Sequence, residues 1–427
     1  MLVRENMVYD VIVVGAGASG LLAAGQAAGM GSSVLLLEKM QQPGRKLRIT
    51  GKGRCNITHD APASEYYKHI YPGGRFLKHA FHTFFTEDIL KILHERGVET
   101  TTERGNRVFP VSNEAGDVFR AIRDWMGKKN IDFRCNTRVQ ELLIRADSVT
   151  GVRTMSGNTT RDYSGKSVII CTGGKSYPAT GSTGDGYDLA RQAGHSVTPP
   201  RPALVPLVTA GNVAGRLQGL ALKNVKAIVW VNGKKHAEAF GELMFTHYGL
   251  SGPIILTLSR YVVDMMEQGS EAEISIDLKP ALDEKKLDAR LQRDLNEHGK
   301  KQLANMFRQW LPSKLIPVFL EHLAIDGRKP CNQMDAKERR NTLLLMKDFR
   351  FQVTGHPGYQ EAIITAGGVP TTEIHSRTMA SKQVPNLFFA GEVIDLDGET
   401  GGFNLQIAFS TGFLAGQSAA SLVKSPE

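Results

Sequence analysis

The chain opens on an apolar run, Tyr9-Asp10-Val11-Ile12-Val13-Val14, that stops at a glycine cluster between Gly15 and Gly20. An alanine-rich segment to about Met30 follows, and then a second apolar run, Val34 to Leu37. Short apolar runs without alternation fit strands buried on both faces, and a helix between two of them predicts a βαβ unit. Helical spacing recurs over Gly74 to Phe85, Thr86 to Arg96 and Ala115 to Lys129. Three strand-like pieces come next, Val139 to Ile144, Val149 to Met155 and Lys166 to Cys171. They predict a small meander that hands the chain back to the parallel sheet.

The pattern changes at Thr198-Pro199-Pro200-Arg201-Pro202, where three prolines in five residues predict a stiff linker and a domain boundary. An insert then runs from about 203 to 356. Its first part, about 203–280, is β-rich and contains a hairpin, Leu220 to Val231 and Lys234 to Phe240, about an Asn232-Gly233 turn. Its later part, about 281–347, is helical and strongly charged. After Thr354-Gly355-His356-Pro357-Gly358 the pattern is strand-like again and ends in a helix, Asn404 to Val423. The expectation is an α/β fold: a Rossmann-like domain of the two-half type, residues 1–200 and 357–427, interrupted by a β-barrel-like plus helical insert, 203–356.

Composition narrows the class. With 427 residues, 41% hydrophobic and 22% charged, the chain is neither disordered nor fibrous. No apolar run approaches the roughly 20 residues that cross a bilayer, and the first run is too short for a signal peptide. A cytoplasmic protein with no membrane partner is expected. Cys55, Cys135, Cys171 and Cys331 include no C-x-x-C pair, which argues against a zinc ribbon, a redox dithiol or a disulfide framework. His79-x-x-His82 lacks further residues at ligand spacing, so no metal is expected. The net charge of +9 fits a polyanionic partner, but Lys and Arg are scattered along the chain. A solvated surface that also balances bound phosphates explains the charge as simply.

Gly15-x-Gly17-x-x-Gly20 follows a predicted strand and opens a predicted helix, and Glu38 stands 18 residues beyond the last glycine. Gly15 permits the tight turn, Gly17 lets backbone N–H groups approach a pyrophosphate, and Gly20 allows close packing of helix and sheet. The helix N-terminus favours the phosphate charge, and Glu38 can accept from ribose hydroxyls. An acid there disfavours a 2′-phosphate, which leaves FAD or NAD. The far end of the chain decides between them. Leu387-Phe388-Phe389-Ala390-Gly391-Glu392 reads as a strand ending where a ribityl chain can be held. Gly401-Gly402-Phe403-Asn404-Leu405-Gln406 starts the last helix, whose free N–H groups and dipole suit the charge of a reduced flavin. A nicotinamide dehydrogenase has no use for this second half-site.

The segment from Gly44 to Thr58, GRKLRITGKGRCNIT, resembles the signature of the YhiN/BaiN-like flavoproteins, also called aminoacetone-oxidase-family FAD-binding enzymes. So do Phe245 to Pro253, FTHYGLSGP, and Thr365-Ala366-Gly367-Gly368-Val369. The resemblance extends to Gly391-Glu392 and Gly401 to Gln406, and so spans nearly the whole chain. Lys52 and His59 depart from the usual residues. The family implies non-covalent FAD, with Ala18, Ser19, Glu38, Lys39 and the backbone of Val139 on the adenine side. Lys46, Arg54, Thr172-Gly173-Gly174, Glu392, Gly402, Phe403, Asn404 and Leu405 would lie along the rest of the cofactor. A P-loop reading of Gly51-Lys52 fails, because Gly53 rather than Ser or Thr follows the lysine.

Two residues are candidates for catalysis. Cys55 lies beside Arg54 and Lys52, whose charge would lower a thiol pKa; a packed thiol is the alternative. His247 sits in a Thr-His-Tyr-Gly turn of the insert and would face the flavin, or serve the turn alone. The leading expectation is a FAD-dependent oxidoreductase acting on a small molecule bound between flavin and insert, with NAD(P)H as transient donor or the substrate itself as reductant. Family members imply two alternatives in substrate: small amines or a steroid C=C bond, and uridine in ribosomal RNA. No contiguous basic or aromatic-interleaved stretch is apparent that would speak for RNA. A third reading is a redox sensor with a non-catalytic flavin.

Overall fold

The computed structural model describes residues 7–127 and 130–424. Two compact units divide the chain, one made of the residues up to Pro202 together with those from Ala362 on, the other of Ala203–Glu361.

In the first unit, Val8–Val14, Val34–Leu37, Ile131–Arg134, the second half of Thr159–Ile170 and Leu387–Phe389 form five parallel strands. Val11, Ile12, Val13 and all of Val34–Leu37 are buried, which is why these segments are continuously apolar. Thr159–Ile170 is long enough to do two jobs: its first half pairs antiparallel with Ser148–Ser156, which pairs in turn with Arg138–Arg145. The expected meander and its return to the sheet are therefore one continuous strand.

The helix Ala18–Gly29 packs against the C-terminal helix Phe403–Lys424 at backbone contact. A Cβ on Gly412 would stand 2.2 Å from the carbonyl oxygen of Ser19, and one on Gly416 would stand 2.3 Å from that of Ala23. Two glycines one helical turn apart therefore bring the two ends of the chain together. The proline-rich segment Thr198–Ala203 is a strand paired with Ile364–Gly368, and not the linker its composition predicts. Proline is tolerated there because the ladder has only two strands, leaving one edge of each free.

The second unit is a closed six-stranded barrel of Leu207–Thr209, Ala221–Val231, Lys234–Phe245, Gly249–Ser251, Ala272–Asp277 and Phe349–Gly355. Its own core continues into the helices Glu284–Glu297, Leu303–Trp310, Leu315–Leu323 and Ala336–Lys347. The segment read as purely β-rich also contains a helix, Pro253–Glu267, whose Ile254, Ile255, Leu258 and Val262 are buried. Among the described residues no helix is long and apolar enough to cross a membrane.

Candidate functional site

The first half-site forms where Val8–Val14 ends. Gly15 takes φ +101°, and Gly20 lies so close beneath it that a Cβ would meet the Gly15 carbonyl oxygen at 1.8 Å. A Cβ on Gly17 would touch nothing within 4 Å, so open space lies above the turn. The helix Ala18–Gly29 starts there with no side-chain cap. Its first N–H groups are thus suited to an anion such as a pyrophosphate. Glu38 is oriented at the end of the next strand, its two carboxylate oxygens accepting from Ala16 N at 2.9 Å and Met40 N at 2.8 Å. Lys39 reaches Asp185 at 2.9 Å and Thr183 at 2.5 Å, and Arg138 shares that aspartate. Val139 is buried beside Thr154 in the antiparallel ladder, just past Thr137, whose N–H donates to the Glu38 carbonyl at 2.9 Å.

The second half-site is built around Glu392. One of its oxygens accepts from Ser176 Oγ and Thr365 N, both at 2.9 Å; the other meets Lys46 Nζ at 2.7 Å. Lys46 also donates to Ser176 Oγ at 2.5 Å. Thr365 Oγ1 accepts from the N–H groups of Lys175 and Ser176 at 2.8 and 3.0 Å. A side chain on Gly174 would collide with this cluster, its Cβ 2.5 Å from Thr365 Oγ1 and 2.7 Å from Glu392 Oε1. The Thr172-Gly173-Gly174 turn, the Lys46 loop and the Gly391-Glu392 turn are thereby joined. Gly391 passes over Ser19, 2.6 Å from the position of its missing Cβ to Ser19 Oγ, so the two half-sites meet.

At the head of the C-terminal helix the backbone of Gly402 lies against Thr58. Asn404 turns back to accept from Gly398 N at 2.8 Å and donate to Gly398 O at 2.7 Å, which fixes the turn leading into the helix. With its amide oriented to satisfy both neighbours, Asn56 accepts from Gly402 N at 3.1 Å. Phe403 is stacked between two imidazoles, His59 at 4.6 Å and His69 at 5.0 Å between ring centres. His69 Nδ1 pairs with Glu399 at 2.9 Å, and the other oxygen of Glu399 accepts from Tyr71 at 3.0 Å. Burial holds His59 below the usual imidazole range, against the raising effect of its hydrogen bond to the Gly401 carbonyl. Leu405 is half-buried against the main core.

Sequence reasoning did not single out Ser176, His69, Tyr71 or Glu399. Thr365 was visible only as part of a motif, and His59 only as a departure from one. The pairing of Lys46 with Glu392 has no local signal at all, since it joins opposite ends of the chain.

The expected activation of Cys55 is not found. Its thiol is fully buried and pushed up to about 12 by desolvation, with a hydrogen bond from Thr50 acting weakly the other way. Arg54 is turned to Glu103 and to Asn113 Oδ1, the latter at 2.6 Å, and lies over the Phe109 ring. Its charge is spent there rather than on the thiol, and Lys52 is exposed. His247 is exposed in the turn between two barrel strands, edge-on to Tyr248. His79 and His82 lie exposed on the short helix Lys78–Thr83.

Relatives share this plan over nearly the full chain. The ribosomal RNA dihydrouridine synthase of Escherichia coli is 32% identical over 413 residues, 96% of this chain and 97% of the relative. The 3-dehydro-bile acid delta(4,6)-reductase of Clostridium scindens is 29% identical over 96% of this chain and 98% of its own. A second ribosomal RNA dihydrouridine synthase, from Haemophilus influenzae, is 30% identical over 94% of this chain and 96% of its own. The apo form of the Mycobacterium smegmatis Sdh1 complex is similar in fold alone, with a TM-score of 0.50 and 16% identity over 99% of this chain and 70% of the other. The model of the HI0933-like protein Rossmann domain matches residues 9–418. The chain belongs to this HI0933-like, YhiN/BaiN-like family of FAD-dependent oxidoreductases.

Proposed function

We propose that the two half-sites hold one FAD non-covalently and that the protein reduces the C5=C6 bond of uridine in ribosomal RNA, taking electrons from NADH or NADPH. The observation that carries the substrate is the match, over 96% of this chain and 97% of the relative, to a ribosomal RNA dihydrouridine synthase. Dihydrouridine is uridine plus one hydride and one proton across a C=C bond conjugated to a carbonyl. A bile acid delta(4,6)-reductase is named for saturation of C=C bonds in a different skeleton. One chemistry thus unites the relatives, whatever the substrate.

Gly15, Gly17, Ala18, Ser19 and Gly20 would hold the pyrophosphate, Glu38 the ribose, and Val139 and Lys39 the adenine side. Thr172 to Gly174, Lys46 and Glu392 would line the polyol. Gly402, Phe403, Asn404 and Leu405 would present the helix head to the ring system, and Gly391 gives the backbone room to pass over Ser19. When bound, FAD supplies the hydride. The chain's part is to fix geometry and to move a proton. His69, Tyr71 and Glu399 form a hydrogen-bonded cluster behind Phe403, half-buried and so in exchange with solvent. Cys55, kept neutral by burial, holds its proton and is no nucleophile.

The test is to mix the purified holoprotein anaerobically with NADH or NADPH, follow flavin bleaching, and then add rRNA fragments and score dihydrouridine by mass spectrometry. Flavin reoxidation with formation of dihydrouridine is the expected result. The second reading, reduction of a small conjugated enone, is favoured by the 29% identity to the bile acid reductase over 96% of this chain. It takes over if the reduced protein saturates an enone and leaves the RNA unchanged.

A further inference from the structure

Residues 66–85, YYKHIYPGGRFLKHAFHTFF, contain no acidic residue, six of the basic types Lys, Arg and His, and seven aromatics. The helical turns Gly74–Leu77 and Lys78–Thr83 run end to end through this segment. They sort it into two faces. Leu77, Ala80 and Phe81 are buried, whereas Arg75, Lys78, His79 and His82 are exposed. Those four fall at i, i+3, i+4 and i+7, the spacing that places side chains on one face of a helix. The neighbouring acids are already engaged: Glu65 with Lys68 and His69, Asp88 with the N–H of Phe85. Among the described residues, neither Arg75 nor Lys78 forms an ion pair.

The buried face connects this stripe to the candidate site. Phe81 packs edge-on against Tyr66 at 5.4 Å between ring centres, and Tyr66 packs edge-on against Phe403 at 4.9 Å. The half-buried Tyr67 is stacked on Phe81 and offers an aromatic surface beside the basic one.

We infer that the face carrying Arg75, Lys78, His79 and His82 binds the phosphate backbone of the RNA and brings it to the head of the C-terminal helix. The inference rests on the reading of RNA as substrate. Cationic side chains at one-turn spacing with an adjacent aromatic ring are the elements that hold a single-stranded nucleic acid, the charges tracking phosphates and the ring stacking on a base.

The experiment is fluorescence anisotropy of a labelled rRNA fragment with the FAD-loaded protein over a range of salt, for wild type and for Arg75→Gln/Lys78→Gln. Flavin content and melting temperature serve as controls for folding. The double variant is expected to bind about tenfold more weakly, with the slope of log affinity against log salt reduced by about 2, near 1 for each lost phosphate contact. His79→Gln/His82→Gln is expected to weaken binding at pH 6 more than at pH 8. A double variant with wild-type affinity and slope overturns the assignment of this face, while wild-type protein that binds no RNA at any salt overturns the substrate reading instead. Equal loss of binding to polyglutamate would identify an acidic polypeptide as the partner and overturn the RNA assignment.

Discussion

Lys46 Nζ lies 2.7 Å from Glu392 Oε2, although 346 residues separate the two in sequence. Both are mostly shielded, with side chains 24% and 20% exposed, and Ser176 bonds to each of them. The ion pair is where the basic loop from the N-terminal half is fastened to the turn from the C-terminal half. It therefore couples closure of the split domain to the shape of the cofactor site.

Lys46→Met leaves Glu392 with Ser176 and Thr365 as donors but removes its cation. A charge-assisted hydrogen bond contributes about 1.5–3 kcal/mol, and about 1.4 kcal/mol is a factor of ten in affinity. FAD titration of the apoprotein should show roughly tenfold weaker binding or more, by that arithmetic. Glu392→Gln should weaken it too, and the double variant should cost less than the sum. Additive losses would show that the pair does not act as a unit.

The glycines of the first turn should separate folding from binding. Gly20→Ala puts a methyl group 1.8 Å from a backbone carbonyl, which only a shift of helix against strand can relieve. It should give little soluble protein or a strongly lowered melting temperature. Gly17→Val meets open space at a backbone conformation, φ −85° and ψ −166°, that valine accepts. It should fold with a normal melting temperature as apoprotein and bind FAD at least about tenfold more weakly, the side chain standing where N–H groups must approach phosphate. A yellow Gly17→Val protein of normal affinity would remove the pyrophosphate from this turn.

Cys55 should be inert. A thiol held near 12 carries almost no thiolate at neutral pH, and burial denies access to reagents. Iodoacetamide should leave it unlabelled in the folded holoprotein while labelling it in denaturant. Cys55→Ser should retain turnover within about threefold, less than the roughly hundredfold that loss of a general acid brings. A hundredfold loss with FAD still bound would instead make the neutral thiol the proton donor.

The parts of the fold that were legible are those with a local rule. A βαβ unit, a glycine fingerprint and an acid at the next strand end follow from periodicity and turn chemistry, and the structure has Val8–Val14, Ala18–Gly29 and Val34–Leu37 in those places. Long-range closure leaves no such mark. The glycines that let the terminal helices touch, Gly412 and Gly416, look in sequence like helix-weakening residues, and only the facing carbonyls of Ser19 and Ala23 explain them. Charge was misread for a related reason. Arg75, Lys78, His79 and His82 are scattered along a line but gathered on a helix. Pro199, Pro200 and Pro202 were read by composition as a linker, whereas pairing with Ile364–Gly368 makes the segment a strand.

His195 supplies a pH dependence of stability remote from the proposed chemistry. Its ring is fully shielded, with Nδ1 2.8 Å from Glu373 and Nε2 2.7 Å from Ser381 Oγ. Ser381 Oγ also receives the N–H groups of Gln383 and Val384, so its own proton goes to Nε2 and the ring is neutral. Burial lowers the imidazole pKa more than the hydrogen bond and charge of Glu373 raise it. The unfolded chain therefore binds a proton that the folded chain refuses once pH falls below about 6.5. Stability from this residue is complete above that value, declines as pH drops toward the folded pKa, and levels off below it. Glu373, lowered in turn, begins to lose its contribution only below the ordinary carboxylate value of 4.5, outside this window. Melting temperature should thus fall between pH 7 and pH 5 in the wild type and fall less in His195→Gln. The slope is reduced and not abolished, because burial also lowers His59 and His356. At pH 7 the same variant should be less stable by about 1–3 kcal/mol, since it leaves the buried partners of the ring imperfectly satisfied. An identical pH slope in variant and wild type would mean that His195 is protonated in the fold.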